Sequence, residues 1–223
     1  MKKKSRILIF LFGIIGIKIL LVSGCVKKDN SEDPIVFKSV KIGTQTWMAE
    51  NLKVTKYRNG DPIPYVESNT EWMNLTTGSY CNYDNNIANA DIYGRLYNWY
   101  AINDTRNIAP AGWHVPTCEE WQILINHLGL DYASDWLRET GNIHWYGDNT
   151  RARNEYGFTA LPSGMRYEDG RFYGVGLYGE WWTSTGNYSD ACCWRMGIFS
   201  NYTEAVNENN KYGFAVRCIK DQP

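Results

Sequence analysis

Pro116-Thr-Cys-Glu-Glu-Trp-Gln-Ile-Leu-Ile-Asn-His-Leu-Gly129 is the clearest helical stretch of the chain, and the fold class follows from how little else resembles it. Thr117 and Glu120 are spaced as a capping box, in which hydroxyl and carboxylate satisfy the orphan N–H groups of the first turn. Trp121, Leu124, Ile125 and Leu128 then recur at i, i+3, i+4 and i+7 and form one apolar face. Gly129 supplies the stop. A shorter helix is expected over Ser134–Glu139, burying Trp136 and Leu137. The rest reads as strand and loop. Val36–Trp47 carries β-branched residues on either side of Gly43 and predicts two short strands around a turn. Ala49–Leu52 leads into another extended stretch. Asn59-Gly-Asp-Pro62 is a turn, and residues 67–92, rich in Asn, Thr, Asp and Ser, read as long loops. Asp169-Gly170 between Met165-Arg-Tyr167 and Arg171-Phe-Tyr173 marks a hairpin. Gly164, Gly170, Gly174, Gly176 and Gly179 exclude a regular helix there. Trp194–Ile198, Ala205-Val206 and Phe214–Ile219 complete the expected strands. One or two helices, short antiparallel strands and long loops predict an α+β domain.

The 223 residues carry 23 Lys plus Arg and 24 Asp plus Glu, for a net charge of −1. Residues 1–24 hold five of the cations (Lys2, Lys3, Lys4, Arg6 and Lys18) and no acid, so the body is mildly acidic. That excludes a dedicated nucleic-acid binder, which needs a basic face to neutralise phosphates. A hydrophobic content of 43% excludes a wholly disordered chain. The cationic start and the apolar run Ile7–Val22 have the layout of an export signal and are short for a membrane span. The run ends in Leu21-Val-Ser-Gly-Cys25, which resembles a bacterial lipobox. That resemblance implies cleavage before Cys25, acylation of its thiol and amine, and attachment to the membrane through palmitate-type chains. Residues 1–24 are then a lipoprotein signal peptide, 25–35 a flexible tether and 36–223 a single domain. The expected address is the cell envelope, at the outer membrane, because the lysines and acids after Cys25 are similar to surface-export signals of Bacteroidetes lipoproteins.

Without Cys25, Cys81, Cys118, Cys192, Cys193 and Cys218 remain, an odd number in an oxidising compartment, so at least one thiol stays unpaired. Cys192 and Cys193 point to opposite faces if they lie on a strand. Their spacings suggest no zinc site.

Lys41-Ile-Gly-Thr-Gln-Thr-Trp-Met-Ala-Glu-Asn-Leu52 is similar to the opening of the Fibrobacter succinogenes major paralogous domain. Tyr93-Gly-Arg-Leu-Tyr-Asn-Trp99, Ala111-Gly-Trp-His-Val-Pro-Thr117, Gly157-Phe-Thr-Ala-Leu-Pro162 and Gly213-Phe-Ala-Val-Arg-Cys218 extend the resemblance in the same order from about Lys38 to Asp221. It implies an exported or lipid-anchored domain with a fold like that of C-type lectins and formylglycine-generating enzymes, and it implies no defined activity. Cys118 and the Cys192-Cys193 doublet depart from the pattern, which suggests that Cys118 pairs with Cys192 or Cys193. Cys81 and Cys218 fit the pattern and are expected to form a second bridge.

Hydrolysis needs a nucleophile beside a base. The histidines are His114, His127 and His144; there is no GxSxG elbow, and only His144 falls in an expected loop. The doublet does not match the cysteine pair of copper-dependent formylglycine-generating enzymes. Asp84–Asp91 and Asn207–Asn210 offer oxygens for structural calcium, but Asn-rich turns bonding their own backbone are the favoured reading, and no cofactor is expected. Glycan binding has more support. Trp145, Tyr146, Arg166, Tyr167, Tyr173, Tyr178, Trp181 and Trp182 fall in expected loops and hairpins, where rings can stack on sugar faces; each alone is more often core, but at least two are expected exposed together. The expected function is therefore a lipid-anchored, non-catalytic binding module for a glycan or a surface partner. The alternatives are an enzyme acting on envelope or extracellular polymer, and a structural assembly component.

Overall fold

The structure, a computed structural model, describes residues 37–199 and 203–222. The signal peptide, Cys25 and the whole of the tether lie outside the described residues. In chain order the strands are β1 (Ser39–Ile42), β2 (Gln45–Met48), β3 (Tyr80–Cys81), β4 (Leu96–Tyr97), β5 (Trp113–His114), β6 (Ser163–Arg166), β7 (Phe172–Val175), β8 (Tyr178–Gly186), β9 (Asp190–Gly197), β10 (Thr203–Asn209) and β11 (Ile219–Lys220). The helices are α1 (Asn69–Met73), α2 (Ile87–Tyr93), α3 (Trp99–Ile102), α4 (Cys118–Leu128) and α5 (Ala133–Leu137). The strands pair antiparallel in sheets ordered β1-β2-β11-β5, β10-β9-β8, β3-β4 and β6-β7, an α+β arrangement. No helix among the described residues is long and apolar enough to cross a membrane.

The stretch that decided the fold class forms α4. Thr117 and Glu120 make the reciprocal capping box, Gly129 closes the helix at φ 83°, and Trp121, Leu124, Ile125 and Leu128 are buried. α5 starts one residue earlier and stops two residues earlier than expected; it buries Leu137 completely, while Trp136 stays half-buried under the Arg153 guanidinium, 4.9 Å from its ring.

The segment 67–92 is not only loop. It contains α1 and α2, started by Ser68 and Asn86, whose side chains accept from Glu71 N–H and Ala88 N–H. The same polar residues that favour turns are also the best N-caps, and helices of five and seven residues are too short to show a period. Phe214–Ile219 is not a continuous strand either. Phe214 and Ala215 make isolated bridges to Tyr97 and Trp181, the carbonyls of Val216 and Cys218 accept from Leu52 and Met48, and only Ile219 begins β11.

β8 and β9 run through the middle of the molecule. Trp181 lies opposite Trp194 and Trp182 opposite Cys193. Successive strand residues face opposite sides. Trp181, Cys192 and Trp194 therefore enter one core with Trp47, Trp121 and Phe158, while Trp182 and Cys193 enter a second with Tyr97, Trp99 and Phe214. A smaller third core surrounds Trp72, Cys81 and Tyr83. The disulfide joins Cys118, at the start of α4, to Cys192 across 74 residues, and Cys193 is left buried and free on the other face. The expected Cys81–Cys218 bridge is absent: both thiols are free, and they sit in different cores. Burial pushes each of them up to about 12, so they are inert small hydrophobes.

Candidate functional site

Half of the expected glycan-binding set is core. Trp145, Trp181, Trp182 and Arg166 are each 0% exposed. Each indole N–H points inward, from Trp145 to the Ala160 carbonyl, from Trp181 to Asn51 Oδ1 and from Trp182 to the Tyr97 carbonyl, at 2.8–3.0 Å. The Arg166 guanidinium donates to the carbonyls of Gly170, Val66 and Glu67 and to Asn69 Oδ1, and it lies 4.4 Å from the Trp72 ring. It fastens the β6–β7 hairpin to the start of α1. Tyr146 is exposed, with its ring against Gly176, and it does not line the cleft that the remaining three share.

Tyr167, Tyr173 and Tyr178 come together. Tyr173 is exposed on β7, opposite Met165 of β6; Tyr167 follows β6 and Tyr178 opens β8. Their rings are near-parallel, with centres 5.9 Å (Tyr167–Tyr173) and 6.2 Å (Tyr173–Tyr178) apart. The glycine-rich stretch makes this seating possible. At Gly174, φ is 81° and a Cβ would stand 2.8 Å from the Tyr178 ring, so any side chain there would push the ring away. Tyr212 meets Tyr167 edge-on at 5.5 Å. Together with Met165, Arg195 and Glu208 these tyrosines line an open cleft of about 260 Å³.

Arg195, Glu208 and Tyr212 carried no local signal in the sequence; strand register delivers them. Arg195 sits on β9 opposite Glu180 of β8, and it bridges Glu180 and Glu208, the latter at 2.8 Å. Glu180 is completely buried, and desolvation pushes its carboxyl up to about 7 despite the opposing pull of Arg195. Its Oε2 has no hydrogen-bond partner. Burial also lifts the Tyr167 and Tyr212 hydroxyls above the usual phenol range, so both are neutral donors at pH 7. The cleft thus offers flat apolar faces beside hydroxyls, one guanidinium and one exposed-side carboxylate, a set suited to a polyhydroxylated ligand.

The histidines lie elsewhere. His114 is held between Asp221 (Nδ1, 2.8 Å) and Glu120 (Nε2, 2.9 Å), so neither nitrogen is left to activate a nucleophile. Burial lowers its pKa, but the two carboxylates outweigh that and raise it. His144 pairs through Nδ1 with Glu139 at 2.8 Å, and no hydroxyl or thiol among the described residues bonds its Nε2. The His127 ring lies against Gly43. In the two Asn-rich segments Asn86 caps α2, Asn89 donates to the Tyr83 carbonyl, and Asn209 Oδ1 accepts from Lys211 N–H. Among the described residues no group of three or more His, Cys, Asp or Glu is placed to hold a metal ion.

A larger depression of about 620 Å³ lies between Tyr65, Glu67, Asn82 and Arg95. Its cation, Arg95, lies 4.8 Å from the Tyr80 ring and donates to Asn82 Oδ1 at 2.6 Å.

No curated protein and no solved structure matches the chain. The Fibrobacter succinogenes major domain matches over residues 40–220, a span that takes in both large cores, the disulfide and the tyrosine cleft, and this chain belongs to that family.

Proposed function

We propose that the chain is a lipid-anchored, non-catalytic binding module of the cell envelope, with a C-type-lectin-like domain that holds a glycan in the tyrosine cleft. The observation that carries the reading is the near-parallel row Tyr167–Tyr173–Tyr178 with Arg195 and Glu208 beside it. Sugar rings present flat C–H faces to aromatic rings, and their hydroxyls bond guanidinium and carboxylate groups. Rings on a hairpin that packs against a rigid strand are already ordered, so little entropy is lost on binding. In this reading attachment comes from acylated Cys25, and residues 26–35 hold the domain off the bilayer.

The test is a glycan array probed with the oxidised full chain in a detergent that carries no sugar. Binding that Tyr173→Ala weakens about tenfold, with the melting transition unchanged, is the expected result. A blank array, or binding indifferent to Tyr173→Ala, sinks the reading. Trp181→Ala is an unsuitable probe, because it removes a core residue rather than a contact.

A further inference from the structure

A second pocket, sharing no lining residue with the tyrosine cleft, opens between α3 and the turn that joins β8 to β9. Its volume is about 400 Å³, and Trp99, Tyr100, Asn103, Gly186, Tyr188 and Asn210 are among its walls. We infer that it is a binding site for a neutral saccharide, with Tyr188 as the stacking surface at its mouth.

Four observations support this. First, Tyr188 is fully exposed and joins none of the cores. The turn does not need it: Asn187 Oδ1 accepts from Ser189 N–H at 2.8 Å and from Asp190 N–H, and Asn187 N–H donates to the Asp190 carbonyl at 2.9 Å. The ring takes no part in the cores and stands free at the pocket, on a loop braced by its neighbours. Second, Asn210 is 1% exposed, yet its Oδ1 has no hydrogen-bond partner. Its Nδ2 donates to the Asn187 carbonyl at 2.9 Å, so the amide is fixed with its acceptor unanswered. Buried polar atoms are normally paired, so this sealed acceptor leaves the pocket wall incompletely satisfied. Third, a bulge after Trp182 ends at Gly186, where a Cβ would stand 2.7 Å from the Trp99 ring. Trp99 itself is only 4% exposed, so the glycine lets the turn close tightly against the indole beside the pocket, as bulges next to binding sites do. Fourth, the lining residues carry no formal charge. Aromatic walls with amides and a phenol suit a neutral polyhydroxylated ligand. A proline-rich peptide would use the rings but brings few N–H donors for Asn210.

The pocket does not depend on the tyrosine cleft being a glycan site, and the experiment separates the two. The full chain, in a detergent that carries no sugar, is mixed with cellohexaose, xylohexaose, mannohexaose and maltohexaose at about 1 mM, a concentration suited to weak binding, and binding is followed by ligand-observed NMR. A proline-rich peptide runs in parallel. The expected result is binding of at least one hexasaccharide that Tyr188→Ala weakens about tenfold and Tyr173→Ala leaves within about twofold. Tyr188→Ala removes a side chain that touches no core, so loss of fold does not confuse the outcome; Asn103→Ala, also exposed, is the second variant and is expected to weaken the same binding. Three results overturn the proposal: no hexasaccharide binds, binding is insensitive to Tyr188→Ala, or only the peptide binds in a Tyr188-dependent way. Loss through Tyr173→Ala alone leaves the tyrosine cleft standing and removes this pocket.

Discussion

The tryptophan core under β8–β9 and the tyrosine cleft beside it are both built from packed rings, with opposite outcomes. Around Trp121 the rings of Trp47, Phe158, Trp181 and Trp194 lie within 4.8–6.1 Å, and all are 0–2% exposed. In the cleft, comparable centre-to-centre distances leave Tyr173 46% exposed. Ring density alone therefore does not separate core from exposed surface. What separates them is where the polar atom goes and what lies beneath. The indoles of Trp47 and Trp181 donate inward to Gln45 and Asn51, and those of Trp121 and Trp194 are buried with no hydrogen-bond partner. Tyr178 rests against Gly174 and Gly197, and the cleft it lines with Tyr167 and Tyr173 opens beside Arg195, which lets Tyr173 keep one face in water.

This contrast predicts unequal responses to mutation. Trp121→Ala touches four other rings and is expected to cost about 3–5 kcal/mol, which urea denaturation will show as a large drop in midpoint. A loss below about 1 kcal/mol would mean that the cluster is not a core. Removing the Cys118–Cys192 bridge by Cys118→Ser is expected to cost about 2–4 kcal/mol, since it frees a long loop of the unfolded chain. The wild-type melt should shift similarly on full reduction, and the serine variant should not respond to reductant. An intermediate effect is pH-dependent. Glu180, raised to about 7, binds a proton in the fold that the unfolded chain releases near 4.5, so its contribution to stability declines as pH rises between those values. His114, raised above 6.5, stabilises fully below that value and loses its contribution as pH climbs through its folded pKa. Both slopes have the same sign, so the protein should be more stable at pH 5 than at pH 8, and Glu180→Gln should flatten the lower part of the curve. A profile that rises with pH would contradict both assignments. Tyr173→Ala is expected to change stability by no more than about 0.5 kcal/mol, the range of ordinary surface substitutions, while binding in the cleft is lost.

Features written in contiguous residues were readable before the structure. The capping box and apolar face of α4 and the turn at Gly43 are local, and the structure has them where the sequence places them. The Asp169-Gly170 hairpin forms, but with a longer turn, closed by Tyr167 N–H to the Arg171 carbonyl and by Gly170 N–H to the Tyr167 carbonyl. The doublet Cys192-Cys193 splits between faces as strand geometry requires, although the choice of Cys192 for the bridge needed three dimensions. Trp181-Trp182, expected in a loop or hairpin, lies inside β8. Paired with Ala191-Cys-Cys-Trp194, it is a continuous apolar run, the mark of a strand buried on both faces rather than one. The cleft was half visible: Tyr167, Tyr173 and Tyr178 cluster in sequence, but Arg195, Glu208 and Tyr212 arrive through pairing across β8, β9 and β10 and through the chain just beyond.

In the four-stranded sheet, β11 sits between β2 and β5, with Ile219 opposite both Trp47 and His114. This sets the order of events during synthesis. The β1–β2 hairpin is made early, but its inner neighbour follows more than a hundred residues later, so one edge of β2 stays bare until then. Every contact that closes this sheet spans more than a hundred residues, which makes closure slow and leaves the nascent chain open until Ile219 emerges. A chain stopped before residue 219 would lack the strand that joins β2 to β5 and a side chain of the core that packs α4 and α5.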